Sequence, residues 1–152
     1  MSRDYILRMI EQIAAMLASI MAKRRAGQVV EARQDLDSQC LRAIGLTLDN
    51  LKKLSPEAVA ELLHEAGALR PVRAVTLAEL LLVEAEWNDE KMGALDSTSN
   101  RVHAFCLLAD SIDALDAEDQ SVYRAKLKTL AGKLQDLRSH PYLNERLQKL
   151  EL

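Results

Sequence analysis

The stretch IAAMLASIMAKRR, residues 13–25, decides between a membrane segment, an export signal and a helix of a soluble core. A signal peptide carries its basic residues before the apolar run, whereas here the basic residues 23–25 follow it. A transmembrane helix needs about 20 apolar residues, and Arg8 and Glu11 interrupt the run too early for that. The stretch therefore favours a helix that buries one face in a soluble protein.

The residues before and within this stretch have the spacing of an amphipathic helix. Apolar side chains recur at intervals of four and three residues, at Ile6, Ile10, Ile13, Leu17 and Ile20. This spacing places them on one helical face. Asp4 near the start and the basic residues 23–25 at the end both complement the helix dipole. We expect a core helix, no membrane association and a cytoplasmic location.

Composition predicts an all-α protein. The chain has 152 residues, of which 49% are hydrophobic and only 3% aromatic, so its core must be aliphatic. Glycine and proline are few, at 5 and 3 residues, and strong helix formers abound. This length suits one domain, and we expect residues 1–152 to form a single all-helical domain.

Charge and cysteine content exclude further classes of protein. The 20 basic and 23 acidic residues are well mixed and give a net charge of −3. Such a balance gives no long-range attraction to nucleic acid or to an anionic membrane. Cys40 and Cys106 lie far apart and outside any CxxC motif, which is typical of a reducing cytoplasm.

Periodicity and capping residues predict about six main helices and no strand. The helices are expected near residues 4–25, 28–44, 56–66, 71–91, 100–115 and 117–137, with a short helical turn in 46–54 and a short terminal helix after Pro141. The expected capping residues are Gly45, Thr47, Ser55 and Asp116, with Ser97 and Ser99 as further candidates before the fifth helix. Short loops make consecutive helices antiparallel neighbours, as in a small bundle or an α-solenoid.

The pattern also predicts which faces are buried. In the second helix, Val29, Ala32, Leu36 and Cys40 are expected to point inward. The fourth predicted helix, over residues 71–91, has only a narrow polar stripe. Such a helix is expected to lie at the centre of the fold. Its acidic side chains are expected to be spread around the solvent-exposed surface of the helix. These residues are Glu79, Glu84, Glu86, Asp89 and Glu90.

The segment AGQVVEARQDL resembles part of a tetratricopeptide repeat. Gly27, Ala32 and Leu36 match its Gly…Ala-x3-(Phe or Leu) pattern, whereas Lys23 stands where the repeat usually has Tyr, and Gln39 where it usually has Ala. The block RDYILRMIEQIAAMLASI followed by this hairpin also resembles the start of an uncharacterised bacterial family of tetratricopeptide-like helical proteins. The resemblance implies a stack of helical hairpins and a bacterial cytoplasmic origin, and it supplies no catalytic residues.

Candidate metal and catalytic residues form only partial sites. Glu61 and His64 make one Glu-x-x-His pair, but a di-iron bundle needs two such pairs and two more acids. His103, Cys106 and Asp110 lie on one side of the fifth helix, without an evident fourth zinc ligand. We expect His103 and Asp110 to be exposed beside a buried thiol.

Catalytic motifs are missing as well. The sequence has no nucleophile elbow and no phosphate-binding loop. The sequence therefore predicts no catalytic residue, no cofactor, no metal and no enzyme.

Binding to another protein or peptide is the function that these exclusions leave. In a tetratricopeptide-like alignment, Arg24 and Arg25 fall near groove positions that contact acidic groups, although they could simply end a helix favourably. We predict a non-catalytic interaction module or scaffold with Arg24 and Arg25 at its binding surface. The alternative is a helical homodimer that acts as an assembly or regulatory subunit, joined partly through the seam at Tyr123, Leu127, Leu130, Leu134 and Leu137. That seam could instead pack within its own chain.

Overall fold

The structure is a computed structural model that describes residues 3–91 and 97–150. Over these ranges every regular element is a helix and no strand occurs, which confirms the predicted all-α class. The α-helices are α1 (Arg3–Arg25), α2 (Val29–Ile44), α3 (Leu48–Lys52), α4 (Pro56–Leu63), α5 (Arg70–Asp89), α6 (Thr98–Ser111), α7 (Ala117–Lys133) and α8 (Pro141–Leu150). The predicted break MGALDSTSN lies partly outside the described residues.

Several predicted helices end earlier than expected. Tighter 3₁₀ segments follow α4, α6 and α7, at His64–Leu69, Ile112–Ala114 and Gln135–Leu137. The last carbonyl groups of an α-helix lack the backbone N–H four residues later that would otherwise bond to them. They accept instead from the N–H three residues later, which forms a 3₁₀ turn. The sequence pattern continues through such a turn, so periodicity alone overestimates the length of the helix.

Most of the predicted caps are present. The side chains of Thr47, Ser55 and Asp116 each accept a hydrogen bond from the backbone N–H three residues on. Gly45 ends α2 with φ of 76°, a left-handed conformation that favours glycine. Ser97 precedes α6 but does not cap it, because its hydroxyl donates to the carbonyl of Ala85 at 3.4 Å.

The core is aliphatic, and α5 lies at its centre. α5 packs against α1, α2, α4 and α6, and α1 and α2 form a hairpin across a three-residue connection. The core takes buried side chains from each of the eight α-helices. Stacking of the tetratricopeptide type stays a prediction.

Four residues depart from their predicted environments. Glu79 and Glu84 are buried, with 8% and 2% exposure, rather than fanned around the surface. His103 is also buried rather than exposed, since α3 and the residues after it cover this part of α6. Val29 is 56% exposed rather than inward, because it stands in the first turn of α2 where the chain enters from the connection.

The apolar side chains of helix α1 are compatible with either a membrane span or a core helix. By length and composition alone, Asp4–Arg25 is apolar enough to cross a membrane. In this fold, however, its predicted stripe of Ile10, Ile13, Leu17 and Ile20 is buried in the core. The core therefore accounts for the apolar stripe of α1.

The seam of α7 is used within the chain. Tyr123, Leu127, Leu130 and Leu134 are all buried against the rest of the fold. These side chains are occupied, which favours the intramolecular alternative for this seam over its use in a dimer.

Candidate protein-binding groove

A groove runs along α5, and we name it the α5 groove. Helices α1 and α7 form its two walls, and Leu82, Val83 and Glu86 of α5 lie on its floor. It arises because α5 packs closely on α1 and α6, whereas α7 packs mainly on α6. The α5 groove is therefore a gap that the packing of the core leaves open.

The first part of the α5 groove surrounds Trp87, the only tryptophan in the chain. This depression has a volume of about 430 Å³. Its lining consists of Met21, Arg24, Arg25, Val29, Glu86, Trp87 and Glu90. Tryptophan, methionine and arginine are residues enriched at protein interfaces, and the exposed Val29 adds apolar surface beside them.

The second part lies between α1 and α7 and has a volume of about 500 Å³. It shares Met21 and Glu86 with the first part, so the two are adjacent along α1 and α5. Leu17 and Leu130 reach it from opposite walls, and Ala125 and Thr129 leave the α7 wall open by their small size. Lining of this kind suits the apolar side chains of a partner.

The two predicted partner-binding arginines line the α5 groove but have different surroundings. The guanidinium of Arg24 lies 4.8 Å from the ring centroid of Trp87 and pairs with the Glu90 carboxylate. Arg25 is exposed and makes no ion pair among residues 3–91 and 97–150. Arg24 therefore makes contacts within the fold, whereas the charge of Arg25 is not neutralised within the described ranges.

Ion pairs connect the floor of the groove to its walls. Lys126 of α7 donates to Glu79 of α5 at 2.6 Å, and Arg101 of α6 pairs with Asp89 of α5. With the pair between Arg24 and Glu90, these contacts join α5 to three neighbouring helices. Each is partly exposed and contributes little energy by itself, but together they hold the walls in place.

A buried charge cluster fixes another face of α5. Glu84 is 2% exposed and accepts hydrogen bonds from Arg33 of α2, Lys52 of α3 and the side-chain amide of Asn100 in α6. Burial alone would raise the pKa of Glu84, but these donors and charges outweigh burial and hold it below its ordinary value. The cluster joins four helices through one carboxylate.

The fold brings together two groups of residues that the sequence suggested separately. Glu61 of α4 and His64, directly after α4, line one polar cleft with Asp110 of α6. There Arg146 pairs with Asp110 at 2.9 Å and 3.1 Å, and the Nδ1 atom of His64 accepts from Arg70 at 3.3 Å. Over residues 3–91 and 97–150, no three His, Cys, Asp or Glu side chains are grouped to hold a metal ion.

His103 and Cys106 lie behind this polar cleft, at a small cavity beside Asp110 and Tyr142. Burial lowers the pKa of His103 and raises the pKa of Cys106 to about 12. The imidazole is therefore neutral and the thiol protonated at neutral pH, and the Nδ1 atom of His103 has no hydrogen-bond partner within the described part of the chain.

Sequence reasoning missed the α7 wall of the groove and the buried cluster. No local pattern marks Ala125 and Thr129 as a wall, because that role depends on where α7 packs. Glu84 does carry a weak signal, since it interrupts the most apolar run of the chain, LLLVEAEW. A charge inside such a run is buried only when it has partners.

Comparisons with known proteins add no relative. No family model, curated protein or solved structure gives a significant match to this chain. The resemblance to tetratricopeptide-like proteins therefore stays a prediction, and the geometry of the α5 groove carries the functional argument.

Proposed function

We propose that this chain is a non-catalytic protein–protein interaction module that binds another protein along the α5 groove. The observation that carries the proposal is the lining of the groove near Trp87. There a tryptophan, a methionine and an arginine without an ion pair in residues 3–91 and 97–150 lie beside the exposed Val29. Interfaces owe most of their affinity to such residues, clustered in a concave, largely desolvated patch.

The charged residues of the groove also suit binding better than chemistry. Glu79, Asp89 and Glu90 each pair with a cation of a neighbouring helix. Catalysis needs polar groups that converge on one reacting atom, whereas these pairs are spread along the length of α5. The arrangement supports a scaffold with an apolar centre and a polar rim, which is the ordinary anatomy of an interface.

Site-specific cross-linking tests the proposal. A photoreactive amino acid replaces Ala125 in the α7 wall, and in a control protein it replaces Ala15, an exposed alanine of α1 outside the groove. After irradiation in the source cell, mass spectrometry identifies proteins linked only from position 125. We expect one reproducible partner, and cross-links to a second copy of this chain would favour the homodimer.

Purified partner then tests whether the groove is the site. Ala125→Arg and Thr129→Arg add bulk to an exposed helical wall, and Ala15→Arg is the matched control. We expect each groove variant to weaken binding by about tenfold or more, with no change for the control. Unchanged binding in both groove variants would overturn the proposal.

A further inference from the structure

The charges around the α5 groove are separated by helix. Its acidic lining residues lie on α5 or directly after it, at Glu79, Glu86, Asp89 and Glu90. Its basic lining residues all belong to the surrounding helices, and they are Arg24, Arg25, Arg101, Lys126 and Lys133. The floor of the groove is therefore acidic and apolar, and its walls are basic.

Ion pairs neutralise most of these opposite charges, but some charged side chains remain without an ion pair in the described part of the chain. Three floor acids are neutralised by Arg24, Arg101 and Lys126. Arg25 on the α1 wall and Lys133 on the α7 wall make no ion pair over the described ranges. Glu86 on the floor makes no ion pair over these ranges either, so a ligand in the groove meets an unpaired cation on each wall and one unpaired carboxylate between them.

The α7 wall strengthens this bias. Residues 121–135 contain four basic side chains, at Arg124, Lys126, Lys128 and Lys133, and no acid. The chain as a whole is acidic, with a net charge of −3. Of these four, Lys126 and Lys133 line the groove, whereas Arg124 and Lys128 do not, so the attraction of the groove for an acidic partner comes from the first two at moderate salt.

The groove has the length of a short helix. From Glu79 to Glu90 it follows α5 for about 16 Å, the length of about three helical turns. Met21 and Leu82, which are partly exposed, provide apolar contacts along this length. Binding of an amphipathic helix by its apolar face uses contacts at this periodicity.

We infer that the occupant of the α5 groove is an amphipathic helix of a partner protein, with an aliphatic face and acidic residues on both flanks. The inference rests on the proposed function and deepens it by naming the chemistry of the partner. The aliphatic face lies on Leu82 and Met21, and the acidic flanks face Arg25 and Lys133.

Three synthetic helices of about 18 residues test the charge preference. They share one Leu and Ala face and differ only in flanks of Glu, Gln or Lys, and none contains Trp or Tyr. Emission of Trp87, the single tryptophan, then reports binding, and titration calorimetry measures the affinity. We expect the Glu helix to bind about fivefold or more tightly than the Lys helix, with a difference that shrinks at high salt.

Charge reversal tests whether Arg25 and Lys133 cause the preference for a helix with acidic flanks. In the double variant Arg25→Glu and Lys133→Glu, we expect the Lys helix to bind as tightly as the Glu helix or more tightly. The control double variant is Arg8→Glu and Lys128→Glu, exposed cations of the same two helices that do not line the groove. It is expected to keep the preference for the Glu helix, and circular dichroism confirms that both variants are folded.

Other outcomes overturn the inference without deciding the proposed function. Equal binding of all three helices, abolished by Ala125→Arg, would leave a helix-binding module without the acidic preference. Binding of none of the helices, or a preference for the Lys helix, would contradict the inferred partner, while the cross-linked partner still tests the module. Dimers that Ala125→Arg converts to monomers would identify a second copy as the occupant.

Discussion

The side-chain amide of Asn100 donates to the carboxylate of Glu84 at 2.8 Å and to the backbone carbonyl of Leu81 at 2.9 Å. Asn100 is 1% exposed, so this α6 side chain inserts against α5 at the point where Arg33 and Lys52 arrive from the other side. One buried carboxylate thereby fixes the relative positions of α2, α3, α5 and α6. The α5 groove lies on another face of α5. Because the cluster fixes the position of α5, the position of the groove also depends on the cluster.

Removing the carboxylate is expected to destabilise the fold. Glu84→Ala removes the buried acceptor that Asn100, Arg33 and Lys52 share, although the two cations keep Asp37 and Asp49, and we expect a loss of about 2 kcal/mol in the free energy of unfolding. Glu86→Ala is the control, because Glu86 is exposed two residues away, and its effect should stay within about 0.5 kcal/mol. Urea unfolding followed by circular dichroism measures both, and equal effects would contradict the structural role of the cluster.

Stability should fall in mild acid because His103 is buried and neutral. Burial and the charge of Lys52 hold its pKa below the ordinary 6.5, although the nearby backbone of Lys52 and Leu54 partly opposes this. The unfolded chain therefore binds the proton first, so the contribution is complete above about pH 6.5 and is lost as the pH falls below it. Thermal unfolding between about pH 7.5 and 5.5 measures this slope.

Two histidine variants test whether His103 causes this dependence of stability on pH. His103→Gln should flatten the dependence on pH, whereas His140→Gln, at an exposed position, should keep it. If the two variants retained equal slopes, other groups would be responsible.

Both cysteines should be unreactive in the folded protein. Burial raises the pKa of Cys40 and of Cys106 to about 12, and neither forms a disulfide. The thiolate is the reactive species, so iodoacetamide should modify both only after unfolding. Mass spectrometry of alkylated protein with and without urea tests this expectation, and rapid labelling of native protein would contradict it.

Two glycines should respond to alanine in opposite directions. At Gly45 the backbone φ of 76° strains any side chain, and Gly45→Ala should cost about 1 kcal/mol in the free energy of unfolding. Gly132 lies within α7, where an added Cβ meets no atom within 4 Å, and Gly132→Ala should stabilise by about 0.5 to 1 kcal/mol. Comparison of urea midpoints decides the sign of each effect.

The contact between Arg24 and Trp87 should be measurable through the single tryptophan. Arg24→Gln removes the cation above the ring and its pair with Glu90, and we expect a loss of about 0.5 to 1 kcal/mol in stability. Acrylamide should then quench the Trp87 emission more strongly. Arg25→Gln is the control and should leave the quenching nearly unchanged.

Local chemistry makes the helices predictable from the sequence. The stripe from Ile10 to Ile20 and the caps at Thr47, Ser55 and Asp116 appear in the structure where the pattern places them. Each depends on side chains within a few residues, so spacing is enough to identify it. The all-helical class follows from the same local signals.

Tertiary packing alone decided the burial of Glu84 and His103, the exposure of Val29 and the position of the α5 groove. The hydrogen-bond donors to Glu84 come from residues 33, 52 and 100, and the walls of the groove come from α1 and α7, far apart in the chain. Periodicity gives the polar and apolar faces of one helix, but it carries no information about which helix covers a given face. A carboxylate inside an apolar run becomes buried only when distant cations reach it, and an apolar face becomes a groove only when its neighbours stand apart.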